Sequence, residues 1–265
     1  MSNWLHNLPA IWMAVVLFGF TYLLAAAVYT IVTLPAGMRK HGRGFASAML
    51  SPMGTLFALF VVFTAAQVWN DNDRAKEAVD HEASALRATV ILIPAFPESL
   101  QRRLESLIRS HIEDATTKEW PTMARHASTL KVVPWQLAEA LQLTLDFKPS
   151  SQGQEVAQRE MIAKLESALE ARRERILISQ LSISGIKWAC LWVEMICVFV
   201  AIALVHANDR GAAVLAMGLF ATGAAVCLLL IGVYDRPFDG QFAVRPDPLI
   251  QVMPEASNPP SDLKP

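Results

Sequence analysis

The sequence predicts an all-α membrane protein, with four transmembrane helices and a helical cytoplasmic region between spans two and three. Three observations carry that prediction. Of the 265 residues, 53% are hydrophobic and only 18% are charged, and the mean hydropathy is +0.33, which is too apolar for a soluble domain of this length. Four apolar stretches, at about residues 9–34, 45–69, 188–206 and 211–234, approach or exceed the roughly 20 residues that a helix needs to cross the hydrocarbon core. The segment between the second and third stretches repeats its apolar residues at three- and four-residue intervals, with no alternation that would indicate strands.

The first span follows MSNWLHNLP, which holds no Lys or Arg. Despite the small residues LAAA at 24–27, it lacks the basic region of a cleavable signal and reads as a retained span. Trp4, Trp12, Trp69, Trp188, Trp192 and Tyr234 fall near span ends, where amphipathic rings favour the headgroup level. Four spans put both termini and residues 70–187 on one side, leaving MRKHGR (38–43) and AND (207–209) on the other. Arg39, Lys40, Arg43 and Arg210 flank the second face, against Arg74, Lys76, Arg172, Arg173, Arg175, Lys187 and Arg236 on the first. The larger basic set places the termini and the long segment in the cytoplasm, as a multi-pass protein of the cell membrane. The chain thus divides into a first helix pair (1–69), a helical cytoplasmic region (70–187), a second pair (188–234) and a C-terminal motif with a disordered tail (235–265).

The second span poses a question of its own. Residues 61–86, VVFTAAQVWNDNDRAKEAVDHEASAL, pass from apolar sequence into Asp71, Asp73, Arg74, Lys76 and Glu77 with no glycine or proline to end the helix. One helix from 45 to about 89 would extend roughly 65 Å. Its exposed part needs a partner, and the amphipathic stretch 154–182, with Ile162, Leu165, Leu169 and Ile176 on one stripe, is the natural one. Leu100, Leu104, Leu107, Ile108 and Ile112 mark another amphipathic helix, and Pro134 suits the first turn of WQLAEALQLTL. Pro94 and Pro97 divide the segment, KPSSQG (148–153) has the composition of a turn, and TVILIP (89–94) reads as the end of the long helix rather than a strand. The tail from Asn258 has a disordered composition.

The remaining singular residues admit both a functional and a structural reading. Glu194 is the one ionisable side chain deep inside a span, so it should face protein or water, either as an ion or proton site or in a hydrogen bond to Thr64 or Gln67. Gly218, Ala221, Thr222 and Ala225 form a small-residue stripe that admits a close helix. Arg172, Arg173 and Arg175 suit a solvated face, neutralisation of carboxylates on the helix after the second span, or a collar facing lipid phosphates. Cys190, Cys197 and Cys227 lie in apolar runs without metal-knuckle or redox spacing and read as buried small hydrophobes.

Net charge is −1, which gives no basic field for nucleic acid. Asp80-His81-Glu82 is a poor metal site because adjacent helical residues point to different faces. No hydrolase, metalloprotease or phosphate-loop motif is present, so neither enzyme chemistry nor a cofactor is expected. The partners expected are the lipid bilayer, further copies of the chain and small anions.

DHEASAL (80–86), EWP (119–121), ARRERI (171–176) and YDRPFDGQFAV (234–244) resemble the motifs of the bestrophin-like family, mainly bacterial four-span membrane proteins, over about residues 51–249. The resemblance marks Glu82, Glu119, Trp120, Pro121, Arg172, Arg175, Arg236, Pro237, Phe238 and Gly240 as family-motif positions. Of these, Pro237 would end the fourth span, Gly240 would permit a turn, Phe238 would pack on the bundle and EWP would supply a second stop. The family is distantly similar to bestrophins, pentameric anion channels whose second span forms a pore neck ahead of an Arg-Trp-Trp motif. Val68-Trp69-Asn70 stands at that place here, without the basic residue and without the second Trp, and no acidic calcium clasp is seen. Counting back by turns sets Pro52, Leu56 and Phe60 at neck-like positions.

With that resemblance, the stripe formed by Leu56, Phe60, Phe63, Gln67, Arg74 and His81 takes on a functional meaning. Apolar side chains, then an amide, then a cation is the order of a hydrophobic gate opening into an anion-attracting vestibule. The first five are the expected pore-lining residues. The reading is a bestrophin-like homo-oligomeric anion channel lined by the second span. The alternative is a non-conducting membrane scaffold whose cytoplasmic helices bind a partner.

Overall fold

The computed structural model describes residues 9–33 and 38–254. Trp4, the side chains of Arg39, Lys40 and Arg43, and the tail from Asn258 lie outside the described residues. The elements are α1 (Ala10–Thr33), α2 (Met38–Leu92), α3 (Glu98–Asp114), α4 (Trp120–Ala124), α5 (Trp135–Asp146), α6 (Gln152–Ser179), α7 (Gly185–Val205), α8 (Arg210–Tyr234) and α9 (Asp247–Ile250), with no strand among the described residues. They form two compact units, one of residues 1–71 and 182–243 and the other of 72–181 and 244–265. Residues 234–243 of the C-terminal motif lie in the first unit, and its last residue, Val244, belongs to the second. α2 supplies residues to both.

The first unit contains four apolar helical stretches long enough to cross a membrane: α1, the early part of α2, α7 and α8. Phe57, Val61, Ala65 and Val68 recur at intervals of three and four, which puts them on one face of α2. That face is buried with Leu191, Met195 and Phe199 of α7 and Ala221 and Leu228 of α8. Aromatic edges close the packing, with Phe199 and Phe220 5.1 Å apart at 87° and Phe20 and Trp192 5.0 Å apart at 82°. The small-residue stripe of α8 receives α1: Ala221 and Ala225 are fully buried, and Tyr22 Oη and Thr222 Oγ1 share a hydrogen bond of 2.7 Å. Side chains begin both later spans, since the Ser184 hydroxyl accepts from the Lys187 amide and Asp209 from the Ala212 amide at 3.0 Å. Outward positions such as Val193, Leu215 and Leu219 remain apolar although exposed. That pattern suits lipid and would be costly in water.

Two side-chain expectations change here. Trp188 is buried in the bundle rather than turned to the headgroup level, because its side chain lies on the α7 face shared with Leu191 and Met195. Cys190 is exposed rather than buried, since it falls on the opposite face of that helix.

In the second unit, α3 opens after Pro97, whose missing amide hydrogen is no loss at a helix start. It buries Leu104, Leu107, Ile108 and Ile112 on one side. EWP does not stop the helix. The chain widens into a π-turn over Ala115–Glu119, with the Trp120 amide donating to the Ala115 carbonyl, and continues through α4. Pro121 lacks the amide that a regular turn would use, and the π-turn absorbs the altered register. The true stop is a Schellman cap: the His126 amide donates to the Met123 carbonyl and the Ala127 amide to the Thr122 carbonyl, both at 2.9 Å, with His126 at φ 54°. α2 ends at Leu92, and a short 3₁₀ turn over Ile93–Ala95 takes up residues 93–95. α6 begins where the Ser151 hydroxyl accepts from the Gln154 amide, and Gln158 Nε2 donates to the Thr144 and Phe147 carbonyls at 2.7 and 2.8 Å, fixing the end of α5 against it.

Candidate functional site

Along the α2 stripe, Leu56 and Phe63 are 58% and 70% exposed, while Phe60 is half-buried against the bundle core. Gln67 Oε1 accepts a hydrogen bond from Lys187 Nζ of α7. Arg74 Nη2 lies 3.1 Å from Glu174 Oε1, both side chains being about half exposed. His81 is exposed further along. The cation nearest the amide of the stripe is therefore Lys187, a residue that periodicity within α2 has no means of finding.

Glu194 is half-buried, and its Oε2 is enclosed without a hydrogen-bond partner among the described residues. The expected bond to Thr64 or Gln67 is not made. Thr64 Oγ1 donates to the Phe60 carbonyl of its own helix at 2.7 Å, and Gln67 is engaged by Lys187.

The most closely knit polar arrangement lies in the second unit, where family-motif positions far apart in sequence converge. Glu82 on α2 faces inward because it shares a side with Ala78, Val79 and Leu86, and it is wholly buried. Its neighbours Asp80 and His81 are exposed, so the three adjacent residues diverge as helix geometry requires. Arg175 on α6 is wholly buried as well: Nε donates to Glu82 Oε2 at 2.7 Å and Nη2 to Glu119 Oε2 at 2.9 Å. Arg172, one turn earlier, donates from Nε to Glu119 Oε1 at 2.8 Å and from Nη2 to the Val132 carbonyl at 3.3 Å. His111 Nε2 completes the set 2.9 Å from Glu82 Oε1. The Arg175 guanidinium also sits 4.7 Å from the centre of the Trp120 ring, whose Nε1 donates to the Val244 carbonyl at 3.0 Å.

Two guanidinium groups thus meet two carboxylates and the charge balances, with Glu82 and both arginines buried and Glu119 partly open to water. Burial pushes the Glu82 carboxyl up, but the Arg175 charge and the His111 hydrogen bond outweigh it and hold the group at about 2. Of the three readings of this run, neutralisation describes Arg175, which pairs with Glu82 on the helix after the second span; Arg172 and Arg175 form no solvated face, although Arg173 between them is exposed. The reason is helical spacing: positions 172 and 175 share a side that 173 does not. His111 was not singled out by the sequence. Its signal is a polar residue on the apolar stripe of α3, seven positions after Leu104 and three after Ile108.

The C-terminal motif organises the first unit. Asp235 Oδ1 accepts from the Ile183 amide at 2.7 Å, joining the end of α8 to the approach to α7. Arg236 lies 3.6 Å from Asp239, Phe238 is buried, and Gly240 takes φ 92°, which only glycine adopts freely. Gln241 Oε1 accepts from the Ala10 amide at 3.2 Å. Pro237 follows the last helical residue, Tyr234, by three positions. None of these groups pairs a nucleophile with a base.

Four apolar helices of spanning length, with a separate polar helical unit held by buried ion pairs, define a multi-pass α-helical membrane protein. Comparison with known families gives the particular one. The chain belongs to the bestrophin-like family, whose model, described as a Bestrophin-like domain, matches residues 18–249. No curated protein and no solved structure matches it.

Proposed function

We propose that this protein is a homo-oligomeric channel for small anions in the cell membrane, lined by α2, with both termini and residues 70–187 in the cytoplasm. One observation carries the reading. α2 runs without a break from an apolar span into a polar helix, and it leaves Leu56 and Phe63 exposed while Phe57, Val61, Ala65 and Val68 fill the subunit's own core. A second set of copies around an axis would place that stripe at the centre, where apolar side chains gate by dewetting.

Lys187 supports anion preference, since it touches the stripe at Gln67 and has no carboxylate partner among the described residues. Arg74 contributes less, because Glu174 balances it, yet an exposed pair of this kind is weak and leaves part of the field. Purified protein in liposomes is expected to release chloride. Phe60→Ala should raise the flux by widening the constriction, Lys187→Glu should shift selectivity toward cations, and Arg74→Glu should do so to a smaller extent. Chloride release equal to that of empty liposomes from the wild type and all three variants would defeat the channel reading in favour of the scaffold.

A further inference from the structure

We propose that the loop from Ala127 to Pro134, with Trp135, is a membrane-surface anchor that seats on an anionic lipid headgroup layer. The loop is apolar where an aqueous loop would be polar. Leu130, Val132, Val133 and Trp135 are 40%, 61%, 66% and 55% exposed, four of six consecutive residues, which is denser than the usual scatter of single surface apolar residues.

Its charge has one sign. From Trp120 to Ala138 there is no Asp or Glu, whereas Arg125 and Lys131 are both exposed. Apolar side chains with an aromatic ring and flanking cations are the composition that partitions to a bilayer interface, and each cation near an anionic surface adds to the attraction.

The chain itself keeps the loop within reach of a bilayer. Gln180 Nε2 donates to the Ser128 carbonyl at 2.9 Å, and Arg172 Nη2 to the Val132 carbonyl at 3.3 Å. Only residues 181–184 separate Gln180 from Gly185, the first residue of a spanning helix. Five residue steps cover at most roughly 18 Å at full extension, against a headgroup layer roughly 5–8 Å deep, so the loop's attachment point stays within reach of the membrane surface. Leu177 and Leu181, beside that tether, are also exposed apolar residues. The Schellman cap at His126 ends α4 and turns the chain into this loop. The two carbonyl bonds hold the loop in place, so anchoring requires little further ordering.

The test uses the full chain in nanodiscs, with Cys190, Cys197 and Cys227 replaced and a nitroxide attached through Val133→Cys. In discs containing phosphatidylglycerol, the label should collide more with oxygen than with a water-soluble nickel chelate. A label at Val156→Cys, an exposed site at the other end of α6, should show the reverse. Adding Lys131→Glu should lower the oxygen preference at Val133 in anionic discs and leave it unchanged in phosphatidylcholine discs. Equal nickel access at Val133 and Val156 would overturn the proposal. So would loss of both oxygen and nickel access together with spin–spin broadening, which would assign the loop to a contact between copies.

Discussion

Arg175→Met is expected to lower the unfolding free energy by about 3–5 kcal/mol, the usual cost of removing one partner from a buried ion pair. The side chain is wholly enclosed and serves Glu82 and Glu119 together. Without it, Glu82 keeps only the His111 contact and must either hold a bare charge or take up a proton. Arg173→Met is the matched control, being exposed one turn face away, and should change stability by no more than about 0.5 kcal/mol. Glu82→Leu combined with Arg175→Met should cost less than the sum of the two single changes, since each removes the group that the other leaves unpaired. Denaturant titrations in detergent measure all four. Equal losses for Arg175→Met and Arg173→Met would refute the account of the network.

The same carboxylate sets an acid limit. The Glu82 carboxyl sits at about 2 in the folded protein against an ordinary value of 4.5. A depressed carboxylate contributes stability that is complete above its unfolded value and is lost as pH falls through the folded one. The contribution, about 3 kcal/mol from a shift of this size, should therefore disappear between pH 4.5 and 2. Asp114, held down by its hydrogen bond from Lys118, adds in the same direction. Asp235, whose carboxyl is pushed up by burial, works against both. Glu82→Gln separates these terms, because it removes only the first. Its stability deficit relative to the wild type should be largest above pH 4.5 and should shrink toward pH 2. A deficit that stays constant across that window would contradict the assignment.

Hydropathy and spacing made the helices legible, since a lipid-facing span and an amphipathic helix each leave a period in the sequence. The unbroken α2 was legible for the same reason, as nothing between Val61 and Leu86 offers a stop. EWP misled because a proline signals a lost amide bond but not what replaces it, here the π-turn at 115–119 that carries the helix on. The convergence of Glu82, His111, Glu119, Arg172 and Arg175 was hidden because it depends on three helices meeting, with partners up to 93 positions apart. The motif resemblance marked four of the five but gave no pairing, and the reading of ARRERI as neutralising carboxylates after the second span pointed to the helix of Glu82 but not to the residue. Lys187 was hidden likewise, because its place beside Gln67 is a contact between α2 and α7. Glu194 was identified as singular, yet its expected bonds failed because Thr64 and Gln67 each satisfy a nearer partner.

In the proposed channel one stripe of α2 meets water inside the membrane. Cysteine accessibility measures this, in the full chain with Cys190, Cys197 and Cys227 replaced and reconstituted into liposomes. Single changes Leu56→Cys, Phe60→Cys, Phe63→Cys and Gln67→Cys should each react with a membrane-impermeant, negatively charged thiol reagent. Leu59→Cys, Val62→Cys and Ala66→Cys, on another exposed face of the same helix, should stay unmodified in lipid. Protection of all seven positions, or equal modification of both sets, would contradict a water-filled path lined by that stripe.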